Sequence, residues 1–179
     1  MCEKSDLQKK IVNREKIFDG HYLHLERLQI ELPDGRTGER EVVAVPDAVA
    51  VLPLDADGNV HMVRQHRTPI NRTLLEVPAG IVDEGERPEE TAFRECEEET
   101  GYRPGKLRKL LYYAHAEGYS TGHTTLFLGT DLKHTGKIKL DSSELLEQVS
   151  LPFDELVQLI HQNKIYDSKT ILCVLLFRD

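Results

Sequence analysis

Residues Gly80 to Tyr102, GIVDEGERPEETAFRECEEETGY, form the stretch from which the rest of the chain is interpreted. Pro88 suits the first position of a helix, and Gly101 suits the left-handed residue that follows a helix. The stretch therefore predicts a helix from Arg87 to Thr100. Its acidic first turn is favourable, because the N-terminal end of a helix carries partial positive charge.

The predicted helix carries three carboxylates on one face. Glu95 precedes Glu98 and Glu99 by three and four positions, so their side chains are neighbours. Each such like-charge pair costs roughly 0.2 to 0.5 kcal/mol. Arg94, four residues before Glu98, can neutralise one carboxylate but not all three. A hard divalent cation such as Mg²⁺ binds carboxylate oxygens and can neutralise all three. The alternative is a solvated acidic face, which is the more common case for a generic Glu-rich helix.

The segment leading into this stretch, Glu76-Val77-Pro78-Ala79-Gly80, is typical of a strand that ends in a glycine loop. Glycine has no side chain, so its backbone can approach a metal ion or a phosphate closely. The loop and the carboxylates together predict a site that holds a metal ion and a phosphate group.

The spacing of the acidic stretch resembles the Nudix box. The box has Gly, five residues, Glu, seven residues, Arg-Glu, an apolar residue, any residue, Glu-Glu, any residue, Gly and an apolar residue. The chain fills these places with Gly80, Glu86, Arg94, Glu95, Cys96, Glu98, Glu99, Gly101 and Tyr102. With so many fixed positions, agreement by chance is remote.

The similarity extends from about Lys16 to Leu176 and points to one branch, the ADP-ribose and nucleoside diphosphate sugar pyrophosphatases. The stretches that resemble this branch are LPDG from Leu32, AVAVLPLDADGNV from Ala48, VRQHR from Val63, LLEVPAG from Leu74 and GYSTGHTTLFLGTDL from Gly118. Periodicity by itself supports only a mixture of α and β structure. The resemblance implies an α/β fold, the Nudix α/β/α sandwich with a mixed sheet.

Strand patterns place the elements around the helix. Residues 1–45 predict a small antiparallel β arm with a turn at Pro33-Asp34-Gly35, and residues 46–179 predict the catalytic domain. Asp55-Ala56-Asp57-Gly58-Asn59 predicts a hairpin turn between two apolar strands. Ser168 is expected to cap the last helix. The arm has too little apolar surface to stand alone, and in the branch such arms exchange between the subunits of a dimer, so a homodimer is expected.

The resemblance assigns roles to several residues. It implies that Glu95, Glu98, Glu99 and the carbonyl of Ala79 hold two or three Mg²⁺ or Mn²⁺ ions, with Glu98 also counted among the catalytic residues. Such ions bridge the diphosphate and lower the pKa of the attacking water. The general base is expected in an acidic loop before a late strand, where Glu144 is favoured and Glu147 is the reserve. The alternative is that both are ordinary loop charges.

Other residues are expected to bind substrate or to order the box. The substrate-binding set is Arg40, Arg67, Glu76 and Gly80, and the set that orders the box is Glu86, Arg94 and Gly101. A guanidinium group suits bidentate contact with phosphate, but each arginine can equally form a surface ion pair. The chain departs from the ADP-ribose branch at Glu117, where a proline is usual, and at Gly122, where an acidic residue is usual.

Composition bounds the cellular setting. The chain has 179 residues and a net charge of −8, with no long basic run, which argues against binding to nucleic acid. Its three cysteines are scattered with no CxxC spacing, which fits a reducing compartment. The first residues, MCEKSDLQKK, lack an apolar signal core, and no apolar run approaches the ~18 residues of a membrane span. A soluble, cytoplasmic protein is expected.

The function expected from these features is metal-dependent hydrolysis of ADP-ribose or a related nucleoside diphosphate sugar to a nucleoside monophosphate and a sugar phosphate. One alternative is a Nudix hydrolase that acts on dinucleoside polyphosphates or modified nucleoside triphosphates. The alternative from another class is a non-catalytic nucleotide sensor. Sensors of this kind often have an eroded box, whereas the box of this chain is intact.

Overall fold

The computed structural model describes residues 7–140 and 144–178 of the chain. These residues divide into two compact units. The first unit consists of the chain up to Asp47 together with Ala114–His123, and the second consists of Ala48–Tyr113 and the chain from Thr124 onward. The N-terminal unit therefore takes in a loop from the middle of the sequence.

The N-terminal unit is built on an antiparallel sheet in the order β1-β2-β3. Its strands are β1 (Lys10–Asp19), β2 (His24–Glu31) and β3 (Thr37–Ala44). The predicted antiparallel arm is confirmed, with one more strand than expected, because a tight turn from Gly20 to Leu23 divides its first half. Only Leu28 and Ile30, on the middle strand, are buried in this sheet.

The remaining strands form three further sheets. They are β4 (Ala48–Pro53), β5 (Asn59–Arg67), β6 (Arg72–Glu76), β7 (Ala79–Ile81), β8 (Tyr102–Arg103), β9 (Lys106–Ala114), β10 (His123–Thr130), β11 (Lys133–His134) and β12 (Leu146–Pro152). The strand orders are β7-β4-β10-β9, β12-β5-β6 and β11-β8. β4 pairs parallel with β10 and antiparallel with β7, so the sheet that carries the glycine loop is mixed.

The turn between β4 and β5 forms where it was predicted, but the hairpin does not continue. The amide of Asp55 donates to the carbonyl of Asn59 at 2.9 Å, and a single bridge joins Leu54 to Val60. Beyond this bridge β4 and β5 enter different sheets. β4 is buried along nearly all of its length and β5 along its first half, so both strands need cover on two faces there, and separate sheets provide that cover.

The described residues of the second unit also form three helices: α1 (Pro88–Thr100), α2 (Phe153–His161) and α3 (Ser168–Arg178). The prediction for α1 is confirmed, and Gly101 ends the helix with φ of 75°. The prediction that Ser168 caps α3 is wrong, because the carboxylate of Asp167 accepts a hydrogen bond from the amide of Thr170 at 3.0 Å. The cap thus lies one residue earlier, and Ser168 is the first residue of the helix.

Two buried clusters hold the helices against the strands. α1 buries Ala92 and Cys96 on Val49, Val51 and Phe127 of the mixed sheet. A larger cluster joins the other side of that sheet to α2 and α3, with members Ala50, Leu52, Val60, Met62, Val77, Leu126, Leu128, Leu151, Leu156, Ile165, Cys173 and Val174. Successive residues of β4 therefore face α1 on one side of the sheet and α2 and α3 on the other, and this places the glycine loop between α1 and α3.

Within the described residues, no helix is both long and apolar enough to cross a membrane.

Candidate active site

Two of the three box carboxylates on α1 lie directly on the glycine loop. One carboxylate oxygen of Glu99 accepts a hydrogen bond from the amide of Ala79 at 3.2 Å. The carboxylate of Glu95 lies so close to Gly80 that any side chain at that position would overlap it. The loop and the helix therefore form one site, and the structure explains why Gly80 has no side chain.

Burial makes the carboxylates of Glu95 and Glu99 hard to ionise. Burial, followed by the charge of Glu95, raises the pKa of Glu99 to about 8. Burial also raises the pKa of Glu95, and the charge of Glu98 adds to this effect. A nearby cation favours the ionised form of a carboxylate, so a bound cation would stabilise Glu95 and Glu99 in their ionised forms.

Arg94 bonds more carboxylates than its spacing suggested. Its Nη1 donates to Glu95 at 2.6 Å and to Glu98 at 3.3 Å. Its Nε and Nη2 donate to the two oxygens of Glu86 at 3.2 and 3.0 Å. The hydrogen bonds from Arg94 are the largest cause of the lowered pKa of Glu86. Arg94 and Glu86 therefore hold the loop before α1 against the acidic face of the helix.

The donor set fits a hard divalent cation. Carboxylates of Glu95, Glu98 and Glu99 with the carbonyl of Ala79 are oxygen donors of the kind that Mg²⁺ and Mn²⁺ prefer. In the described part of the chain, no three acidic, histidine or cysteine side chains converge into a complete metal cage. Arg94 bonds both Glu95 and Glu98, so a cation must compete with it for these two carboxylates.

The two candidates for the general base are placed differently. The charge of Glu144 is one of the smaller causes that raise the pKa values of both Glu95 and Glu99, so Glu144 lies within electrostatic reach of the box. Glu147 lies in β12 rather than in a loop, and both of its oxygens accept hydrogen bonds from Nη1 of Arg64 at 2.8 Å. The rest of the predicted acidic loop, residues 141–143, lies outside the described residues.

Arg67 and Glu76 form a bidentate pair at the end of β6. Nε and Nη2 of Arg67 donate to the two oxygens of Glu76 at 2.8 and 2.7 Å. Glu76 has a side-chain exposure of 1%, whereas that of Arg67 is 41%. Burial opposes ionisation of Glu76, but hydrogen bonds and charges from Arg67 and Lys169 outweigh it and lower its pKa. Glu76, predicted among the substrate-binding residues, is thus buried and bonded to Arg67.

Sequence reasoning missed two charged residues of this pair's surroundings. Lys169, on the first turn of α3, bonds the same oxygen of Glu76 as Arg67 does. Asp167 accepts a second hydrogen bond from Lys169 at 2.7 Å. Lys169 lies 93 residues from Glu76 along the chain, and no local spacing links them. An aspartate just before α3 and a lysine in its first turn were the available signal.

The other predicted residues lie in the N-terminal unit. Arg40 is on β3, and its Nη1 donates to the carbonyl of Glu39 at 2.6 Å. Glu117 and Gly122 belong to the loop that this unit takes in. A side chain at Gly122 would meet the ring of His115 at 2.5 Å and Val45 at 2.6 Å. An acidic side chain at position 122 would therefore require His115 and Val45 to shift.

Comparison with known proteins identifies the family. Residues 44–171 match the NUDIX domain, and residues 10–43 match the nucleoside diphosphate sugar hydrolase N-terminal domain. The chain belongs to the NUDIX family and is a Nudix hydrolase, as its box predicted. Nudix hydrolases generally use a divalent metal.

Two curated relatives and one solved structure cover nearly the whole chain. An ADP-ribose pyrophosphatase of Bacillus subtilis (strain 168) is 37% identical over 169 residues, which are 94% of this chain and 91% of that protein. A methanol dehydrogenase activator of Bacillus methanolicus is 37% identical over 168 residues, 93% and 91% of the two chains. A crystal structure described as an ADP compounds hydrolase is 23% identical, with a TM-score of 0.86 over 98% of this chain and 95% of that one, which confirms the Nudix fold.

Proposed function

We propose that this chain is a Mg²⁺-dependent hydrolase that cleaves the diphosphate linkage of ADP-ribose or a related nucleoside diphosphate sugar. The products are a nucleoside monophosphate and a sugar phosphate. The observation that carries the proposal is the contact of Glu95 and Glu99 with the Ala79–Gly80 loop: Glu99 is hydrogen-bonded to Ala79, and the carboxylate of Glu95 lies against Gly80. The match of residues 10–43 and the similarity to an ADP-ribose pyrophosphatase support the substrate class.

The box residues would hold the metal. Glu95, Glu98, Glu99 and the carbonyl of Ala79 supply the oxygen donors, and Mn²⁺ can replace Mg²⁺ at such donors. When bound, the ions neutralise charge that develops on the diphosphate and lower the pKa of a water molecule. Gly80 leaves space at the loop, and Arg94 with Glu86 keeps the loop and α1 together.

The remaining roles fall to groups around the box. Glu144 is the proposed general base, since its charge reaches Glu95 and Glu99, and Glu147 remains the reserve. Arg67 is proposed to bind a phosphate group of the substrate, because Glu76 fixes two of its nitrogens and leaves Nη1 outside that pair. Arg40 is proposed as a second substrate-binding arginine.

A panel of substrates tests the proposal. The protein is incubated with Mg²⁺ and, separately, ADP-ribose, GDP-mannose, UDP-glucose and a dinucleoside polyphosphate, and the products are identified by mass. The proposal expects a monophosphate and a sugar phosphate from at least one nucleotide sugar. Faster cleavage of dinucleoside polyphosphates or modified nucleoside triphosphates would favour the first alternative, and binding without turnover would favour a sensor.

The assembly and location are also proposals. All ten residues of β1 are exposed, including Ile11, Val12, Ile17 and Phe18 at 42 to 56%. We propose that a second copy of the chain covers this strand in a homodimer, which light scattering after gel filtration checks. A stable monomer at micromolar concentration would contradict the homodimer.

We propose that the protein lies in the cytoplasm and binds neither nucleic acid nor membranes, and cell fractionation tests this location.

A further inference from the structure

The first turn of α3 contributes two charged groups to the network behind the candidate active site. Lys169 bonds both Glu76 and Asp167, and its side chain is 17% exposed. Asp167 is 10% exposed and caps α3 through the amide of Thr170. Arg67, Glu76, Lys169 and Asp167 together carry two positive and two negative charges, so this largely buried network is neutral when complete.

The same turn of α3 is bonded to the strand that leads into the glycine loop. The hydroxyl of Thr170 accepts a hydrogen bond from the amide of Val77 at 2.9 Å and donates one to Asp167 at 2.5 Å. The next residue, Pro78, accepts from the amide of Val51 at 3.0 Å. Ala79 then donates to Glu99. The consecutive residues Val77, Pro78 and Ala79 are therefore each hydrogen-bonded, and through them α3 is connected to the box.

We propose that Lys169 is a positioning residue that sets the guanidinium of Arg67 for the substrate's phosphate. The inference rests on the proposed function. Arg67 and Lys169 share one oxygen of the buried Glu76, so Lys169 takes part of the negative charge that otherwise acts on Arg67 alone. Without Lys169, the network has a net charge of −1, and Arg67 faces Glu76 and Asp167 with no second cation.

Loss of the lysine charge should therefore weaken phosphate binding rather than the chemical step. Arg67 would be held more tightly by the protein's own carboxylates and less available to an anionic ligand. Arginine at this position keeps the positive charge and can bond both carboxylates, so it should restore most of the function. A purely structural lysine would affect stability without changing substrate affinity.

The test compares Lys169→Met, Lys169→Arg and the control Lys164→Met, which removes a charge from an exposed lysine just before α3. On the nucleotide sugar that the wild type hydrolyses, Lys169→Met should raise KM by roughly tenfold and change kcat by less than about threefold. Lys169→Arg and Lys164→Met should stay near the wild-type KM. An unchanged KM in a folded Lys169→Met protein would overturn the inference.

A double-mutant cycle shows whether Lys169 acts through Arg67. In an Arg67→Met background, Lys169→Met should raise KM no further, because the group it positions is gone. Independent effects that add would contradict the inference. If the wild type hydrolysed no nucleotide sugar, the proposed function would fail on its own, and a readout without turnover decides the positioning role.

That readout is the Nε–H resonance of Arg67 in ¹H–¹⁵N spectra of the whole protein. Its hydrogen bond to Glu76 should make the resonance observable and slow to exchange in the wild type. Lys169→Met should shift the resonance and change its exchange rate, whereas Lys169→Arg should restore both. A resonance unchanged by Lys169→Met would refute the positioning role whatever the substrate is.

Discussion

The carboxylate of Glu99 accepts a hydrogen bond from the backbone amide of Ala79, although the two residues lie 20 positions apart. This bond joins the end of α1 to the loop whose carbonyl is a proposed metal donor. It also brings an acidic side chain into a buried setting, where ionisation is costly. Substitution of Glu99 should therefore affect both activity and stability.

Replacing Glu99 with Gln should abolish most activity and leave the fold intact. An amide oxygen can still accept the hydrogen bond from Ala79 but supplies no charge to a cation. We expect kcat/KM for a nucleotide sugar to fall by about a hundredfold or more. Glu89→Gln is the matched control, since it removes an exposed glutamate from the first turn of the same helix. Near-normal turnover by Glu99→Gln would refute the metal assignment.

The metal-free protein should lose stability as the pH rises towards 8. The folded pKa of Glu99, about 8, lies above its ordinary value of 4.5, so between these values the folded state binds more protons than the unfolded state. The resulting stabilisation is complete below pH 4.5 and is lost as the pH rises through 8, by at most about 1.4 kcal/mol per pH unit for one group.

Chemical denaturation with a chelator present measures this effect. The free energy of unfolding is compared at several pH values between 5 and 8 for the wild type and for Glu99→Gln, which cannot titrate at this position. The wild-type value should fall more steeply with pH than the variant's value. Parallel curves would show that Glu99 ionises normally in the folded protein.

The helix in the acidic stretch could be predicted because the residues that determine it lie close together in the sequence. Helix spacing alone placed Glu95, Glu98 and Glu99 on one face, and Pro88 and Gly101 marked the ends of the helix that the structure shows. The turn after β4 was also predicted from its residues. Its partner strands were not, since the choice between two sheets depends on which faces the rest of the chain covers.

The network of Arg67, Glu76, Lys169 and Asp167 could not be predicted from the sequence for a related reason. Lys169 and Glu76 meet only because β6 and α3 pack in the same core, and nothing in either segment specifies the other. The burial of Glu76 and its ion pair with Arg67 likewise follow from the fold, and no local pattern in the sequence indicates them. Long-range ion pairs of this kind leave no periodic signal in one sequence.

Glu144 and Glu147 give opposite expectations as the general base. Glu144→Gln should lower kcat by a factor of about 10² to 10⁴, which is the usual contribution of general base catalysis. Glu147→Gln should change kcat by less than about twofold, because its carboxylate is 64% exposed and paired with Arg64, and such pairs contribute little. Rates over a range of pH separate the two variants. A parental rate for Glu144→Gln would transfer the role to Glu147 or to another group.

Gly80→Ala should damage the site while preserving the rest of the fold. The added methyl group would occupy the space of the Glu95 carboxylate, so Glu95 must move away from the loop. We expect a stability loss of roughly 1 to 3 kcal/mol from overpacking, together with a higher Mg²⁺ concentration for half-maximal activity.

Gly38→Ala is the matched control for this substitution. It adds the same methyl group to β3, where the nearest atoms, in Arg40 and Ile30, are at an ordinary distance of 3.8 Å. Denaturation curves and Mg²⁺ titrations of the two variants should therefore differ. If Gly80→Ala required no more Mg²⁺ than the wild type, the position of Glu95 on the loop would not matter for metal binding, and the proposed donor set would have to be revised.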